Sequence, residues 1–149
     1  MSKKYPVPRF LDNRVSQEKY LSWLRSQARR HLARDRKRGN ATATNEEYLL
    51  AIHQAVRQSE GRDAYTGDDL HWELICQYNN KESKDRKRAY KREFAMLPTV
   101  DHVGDGTGRA DFRICAWKTN DAKNDLSLDE FLDLCQAVVQ HAEKALSRK

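Results

Sequence analysis

Residues 98–124 limit what this chain can become more than any other stretch. A short β-branched run ends in the pair Asp101-His102. A loop follows with three glycines among seven residues, and an apolar run over 112–117 leads into a polar turn holding Asn120 and Lys123. Glycines at that density let the chain turn back and leave room for a substrate to approach. If the two runs pair as strands, the Asp-His pair meets the face that Asn120 and Lys123 share, three residues apart on a helix. A carboxylate and a carboxamide oxygen suit a hard cation such as Mg²⁺, which takes oxygen ligands and keeps several waters. An adjacent imidazole takes a proton from an attacking water near neutral pH. Strand neighbours point to opposite faces, so Asp101 and His102 need a twisted strand end to serve one site.

At these residues the chain resembles the HNH nucleases, the ββα-metal or His-Me finger family. Asp101-His102-Val103 matches the family's Asp-His-Ile/Val strand, and Asn120 with Lys123 matches its Asn-x-x-Lys helix. Upstream, Tyr65, Gly67 and Leu70 match the Tyr-x-Gly-x-x-Leu segment that often opens the domain, so the resemblance covers roughly residues 62–126. It implies that His102 is the general base and that Asp101 and Asn120 hold one divalent metal, Mg²⁺ or in its place Mn²⁺. Lys123 adds positive charge nearby, or pairs with an acid and stabilises the short helix. The family's middle Asn, which orients the loop carrying the histidine, falls on Asp111, a departure. The Cys-x-x-Cys pairs by which many members bind structural zinc are missing, so no structural zinc is expected.

Charge points to the same class of partner. The net charge of +6 is unevenly placed: residues 1–40 carry +9, residues 81–93 carry +4, and the remainder is negative. Two basic blocks flanking a metal-phosphate motif suit a polyanion, with salt-dependent binding through phosphates. Arg29, Arg30 and Arg34 in the first block, Lys87, Arg88 and Lys91 in the second, and Arg109 and Arg113 beside Asp111 are the candidate nucleic-acid contacts. No apolar run approaches a membrane span, and Met1 to Pro6 have no apolar region of a signal peptide behind them. Cys76, Cys115 and Cys135 are scattered within apolar segments, which reads as reduced core thiols and a cytoplasmic setting.

Read in order, the chain opens with an extended arm around Pro6 and Pro8. A helix from Ser16 buries Leu21, Leu24, Ala28 and Leu32, with arginines over the rest of its surface and His31 facing solvent. Thr44 and Glu47 form a capping box for a second helix to about Ser59, stopped near Gly61. His53 on it is a packing residue. Residues 63–76 read as a hairpin whose Leu70, Trp72 and Leu74 alternate with His71, Glu73 and Ile75; His71 and Glu73 are an alternative metal pair. Residues 79–93 form an exposed helix or a loop that orders on its partner. Ser127 and Glu130 cap a last helix with helical apolar spacing to Leu146, expected to pack on the motif as scaffold.

The expectation is an α+β chain, mostly helical, around a small HNH-like finger. Residues 1–61 form a basic helical arm and residues 62–149 the nuclease-like domain with its C-terminal helix. Such a protein cleaves DNA, or RNA, as a monomer or homodimer. The alternatives are a nucleic-acid-binding protein that keeps the finger without catalysis, and a purely structural helical adaptor.

Overall fold

The structure is a computed structural model that describes residues 4–77 and 79–148. It holds α1 (Gln17–Lys37), α2 (Asn45–Ser59), α3 (Asn80–Arg86), α4 (Arg88–Glu93), β1 (Pro98–His102), β2 (Phe112–Ala116), α5 (Trp117–Lys123) and α6 (Leu128–Ser147). The fold is α+β and mostly helical, 57% helix, with one small antiparallel sheet of two strands among the described residues.

Local signals set the helix ends. The Ser16 hydroxyl accepts from the Lys19 amide at the start of α1. Thr44 and Glu47 exchange side-chain and backbone bonds ahead of α2, and Ser127 and Glu130 do the same ahead of α6. These caps satisfy amides that have no partner within the helix. Glu60 turns left-handed to close α2, and Gly61 follows at φ +85°.

One core joins the first helices to the ribbon. Leu24, Ala28 and Leu32 of α1 and Tyr48 and Ile52 of α2 pack with Val100 of β1 and Phe112 and Ile114 of β2. Residues 1–61 and 62–149 therefore share buried surface. The strands pair from Pro98↔Ala116 to His102↔Phe112. The amide of Val103 donates to the Asp111 carbonyl and closes the loop at its base. α5 starts directly after β2 and packs back across both strands, so the order of elements here is β, β, α.

Four expectations need correction. Residues 63–76 are not a hairpin: only the isolated bridge Arg62↔Asp69 and a 3-10 turn at Trp72–Leu74 are present. The amides that a hairpin would pair go instead to Gly61 and Met96, which accept from Leu70 and His71. Leu70 and Trp72 are fully buried, but in an irregular segment. His31 does not face solvent; it turns inward and packs edge-on against Phe112. Of the cysteines, Cys115 alone is buried, while Cys76 and Cys135 are exposed. The last helix, α6, does not pack on the motif, since no residue of it is buried. The second basic block forms the two short helices α3 and α4, hinged at Lys87 (φ +46°) and anchored by buried Tyr90.

Candidate functional site

Asp101, His102, Asn120 and Lys123 all line one groove of about 1020 Å³. The side chains of the first two leave β1 on opposite faces, as strand neighbours do. Asp101 faces α5 and the Tyr65 turn. Its Oδ2 accepts the Tyr65 hydroxyl at 2.5 Å and lies 3.0 Å from the Lys123 ammonium. Burial, and then the hydrogen bond to Asp101, push the Tyr65 phenol well above its usual range, so it stays a donor. Asp101 and Lys123 are both buried. The pair is thus desolvated, and each side chain depends on the other to offset that cost.

His102 faces the other way, into α1. Its Nε2 lies 2.9 Å from Oδ2 of Asp35, and its side chain is 3% exposed. The approach is close but lies off the line of a hydrogen bond, and Nδ1 has no hydrogen-bond partner. Asp35 has no exposed surface, and the same Oδ2 accepts the Tyr48 hydroxyl at 2.5 Å. Phe112 closes edge-on over the imidazole, with ring centres 4.9 Å apart. His31 stands behind, its ring 6.4 Å from that of His102. Burial first, and then the Arg34 charge, lower the His31 imidazole to about 4, so it is neutral at pH 7.

The glycine loop is fastened from the α1–α2 connection. The Asn40 amide donates to the Gly106 carbonyl at 2.8 Å. Gly106 sits at φ +88°, and a Cβ there would fall 2.5 Å from Asp35 Oδ1. Asp111, expected to orient the loop, uses its backbone carbonyl to close the loop's base, while its exposed carboxylate pairs with Arg113 at 2.7 Å. Asn40 therefore makes the side-chain bond to the loop that the family resemblance implied for Asp111.

Asp63 joins the three pieces of the site. Its Oδ1 accepts from the amides of Tyr65 and Thr66, and its Oδ2 from the Ala116 amide and the Thr119 hydroxyl. One buried carboxylate thus shapes the Tyr65 turn and caps the entry to α5. Cys115, on the same side of the ribbon, has its thiol pushed up to about 12 by burial and is no nucleophile.

Of the expected phosphate contacts, Arg34 and Arg113 line the groove, and Arg38 joins them. Arg29 lines a separate groove near the N-terminal arm, and Arg30 and Arg109 are exposed. Lys87 and Arg88 are exposed on the α3–α4 hinge. Lys91 pairs with Asp121 at 3.1 Å, beside the groove's α5 wall.

No family model, curated protein or solved structure matches this chain. The donor chemistry must therefore be judged on the residues alone. Among the described residues no cluster of three or more His, Cys, Asp or Glu is arranged to hold a metal ion. What the groove offers is sparser. Tyr65 and Lys123 both take Oδ2 of Asp101, so Oδ1 accepts from no described residue, and the Asn120 carboxamide makes no side-chain hydrogen bond among them. One carboxylate and one carboxamide oxygen fit a hard divalent cation that keeps most of its water. His71 and Glu73, the alternative pair, do not line the groove, and Glu73 approaches Arg14 at 3.8 Å.

Asp35, Asn40 and Asp63 were missed in the sequence. Asp35 had a signal: it continues the buried Leu24, Ala28, Leu32 stripe at helical spacing, so an acid stands where an apolar residue is due. Asn40 and Asp63 had only the common turn signals of Asn and Asp.

Proposed function

We propose that this chain is a metal-dependent endonuclease of the HNH type that hydrolyses phosphodiester bonds in DNA. The observation that carries the reading is the ββα unit itself, which puts Asp101, His102, Asn120 and Lys123 on one groove that Arg34, Arg38 and Arg113 also line. Those arginines supply positive charge and forked donors for phosphate oxygens. On this reading His102 takes a proton from the attacking water once its ring, shut in here between Asp35 and Phe112 with both nitrogens buried, opens to the groove. Asp101 and Asn120 would hold a divalent cation, and its charge would stabilise the phosphate and the leaving 3′ oxygen. Lys123 keeps the Asp101 carboxylate fixed, and the Tyr65 hydroxyl holds the same oxygen.

Two observations favour the second reading, a nucleic-acid-binding protein without catalysis. The His102 ring is almost fully shielded, and Asp101 already has a cation in Lys123. Plasmid nicking at low salt decides between them, with Mg²⁺ or Mn²⁺ against EDTA and wild type against His102→Ala. Metal-dependent nicking that the substitution abolishes is the expected result. A wild type that binds the plasmid in a salt-sensitive manner, yet nicks it with neither metal, moves the assignment to binding alone.

A further inference from the structure

We propose that the apolar face of α6 is a docking surface for a second copy of this chain, with the two helices antiparallel. α6 is twenty residues long and has no buried residue. Leu128, Leu132, Leu134, Val138, Val139 and Leu146 are 46–69% exposed. With Phe131, Cys135, Ala142 and Ala145 they form one broad stripe at helical spacing, and Asp129, Asp133, Gln140 and Lys144 occupy the opposite side. Most helical stability in proteins comes from packing an amphipathic face, and α6 buries none of its own. A solvated stripe of this extent marks an interaction site.

Charge selects the occupant. The acids Asp129, Glu130 and Asp133 lie in the first half of α6, and Glu143, Lys144 and Arg148 lie toward its end, where the bases prevail. Glu130 and Arg148 are separated by about five helical turns and so stand on the same flank of the stripe. A two-fold axis near Val139 sets Glu130 of each copy against Arg148 of the other. This is the self-complementarity that an isologous interface requires, and a parallel pair would instead set acid beside acid. A contact along about 30 Å of helix is small for a stable interface, which predicts a weak, concentration-dependent dimer.

Sedimentation velocity on the full chain tests this without any reference to cleavage. Between about 1 and 100 µM, a range that brackets what a small interface supports, the mass should rise from 17.4 kDa toward twice that value. Leu134→Asp with Val138→Asp should hold it at the monomer mass. Arg148→Glu, at an exposed helix end where folding is not at stake, should weaken the dimer several-fold, and Arg148→Lys should not. A wild type that stays monomeric throughout, or a dimer unmoved by the apolar double substitution or by Arg148→Glu, overturns the proposal.

Discussion

Asp35→Asn and Asp35→Ala separate what this buried carboxylate does for folding from what it does for His102. Asp35 is wholly buried; its Oδ2 takes the Tyr48 hydroxyl at 2.5 Å and lies 2.9 Å from His102 Nε2. Alanine leaves the buried Tyr48 hydroxyl without its acceptor, while His102 Nε2 makes no hydrogen bond to Asp35 that could be lost. One unsatisfied buried group costs about 1–3 kcal/mol, so the variant should lose at least that much. Asparagine keeps the shape and an acceptor for Tyr48 but loses the charge. The difference between a charged and a neutral hydrogen bond puts its cost at about 1 kcal/mol. Urea denaturation monitored by tryptophan fluorescence reads both values. The asparagine variant stays folded, so on the nuclease reading proposed above its nicking rate reports on His102 alone. A general base contributes roughly 10²–10⁴-fold, and loss of its carboxylate support should remove at least the lower part of that range. If both variants unfold within about 0.5 kcal/mol of wild type, the size of an ordinary surface change, the buried contact does not hold α1 to the ribbon. If the asparagine variant nicks at the wild-type rate, Asp35 does not position the base.

Three further outcomes follow from contacts around the groove. The His31 imidazole binds a proton less readily in the fold (about 4) than at its ordinary 6.5. Its contribution is therefore complete above pH 6.5 and drains as pH falls toward 4, by up to roughly 3 kcal/mol. Urea midpoints at pH 7.5 and 4.5 should show a smaller drop for His31→Leu than for wild type, and equal drops would refute the effect. Asp63→Ala strips the Ala116 amide and the Thr119 hydroxyl of a buried acceptor and frees the Tyr65 turn; it should cost roughly 3–5 kcal/mol by thermal or urea unfolding, against about 1–2 for Asp63→Asn. Gly106→Ala meets Asp35 Oδ1 at 2.5 Å, whereas Gly104→Ala at φ +94° meets nothing within 4 Å. Both variants carry the left-handed strain of roughly 1–3 kcal/mol, and only the first should lose more, so equal unfolding midpoints would show that the loop moves freely off α1.

The parts of the fold visible in the sequence are those coded over three or four residues. Ser16, Thr44 with Glu47, and Ser127 with Glu130 start the helices where their spacing says they should. The β-branched run over 98–102 and the apolar run over 112–116 pair in register across the glycine loop. What stayed hidden depends on partners far away in the chain. Leu70, Trp72 and Leu74 alternate like a strand, but the backbone around them bonds to Gly61 and Met96 rather than to a neighbouring strand. His31 lies among arginines and reads as surface until α1 is laid on Phe112. The α6 pattern announces a helix with one apolar face and says nothing of what that face meets. The candidate site divides in the same way. Asp101, Asn120 and Lys123 were legible from one another, whereas Asp35 reaches His102 across 67 positions of sequence.

The anchoring of His102 on Asp35, and of Gly106 on Asn40, bears on how such a chain can be recombined. A finger that carried its own core could move between proteins as a cassette. Here a crossover near residue 61 would part the imidazole from its carboxylate, the loop from its amide, and Phe112 and Ile114 from the helices that cover them. Leu11 and Val15 of the arm are buried in the same core, and residues 124–128 and Glu130 line the groove, so exchange that respects these contacts is confined to the part of α6 after Glu130. That is where descendants of this chain can accept foreign sequence and still present the same groove.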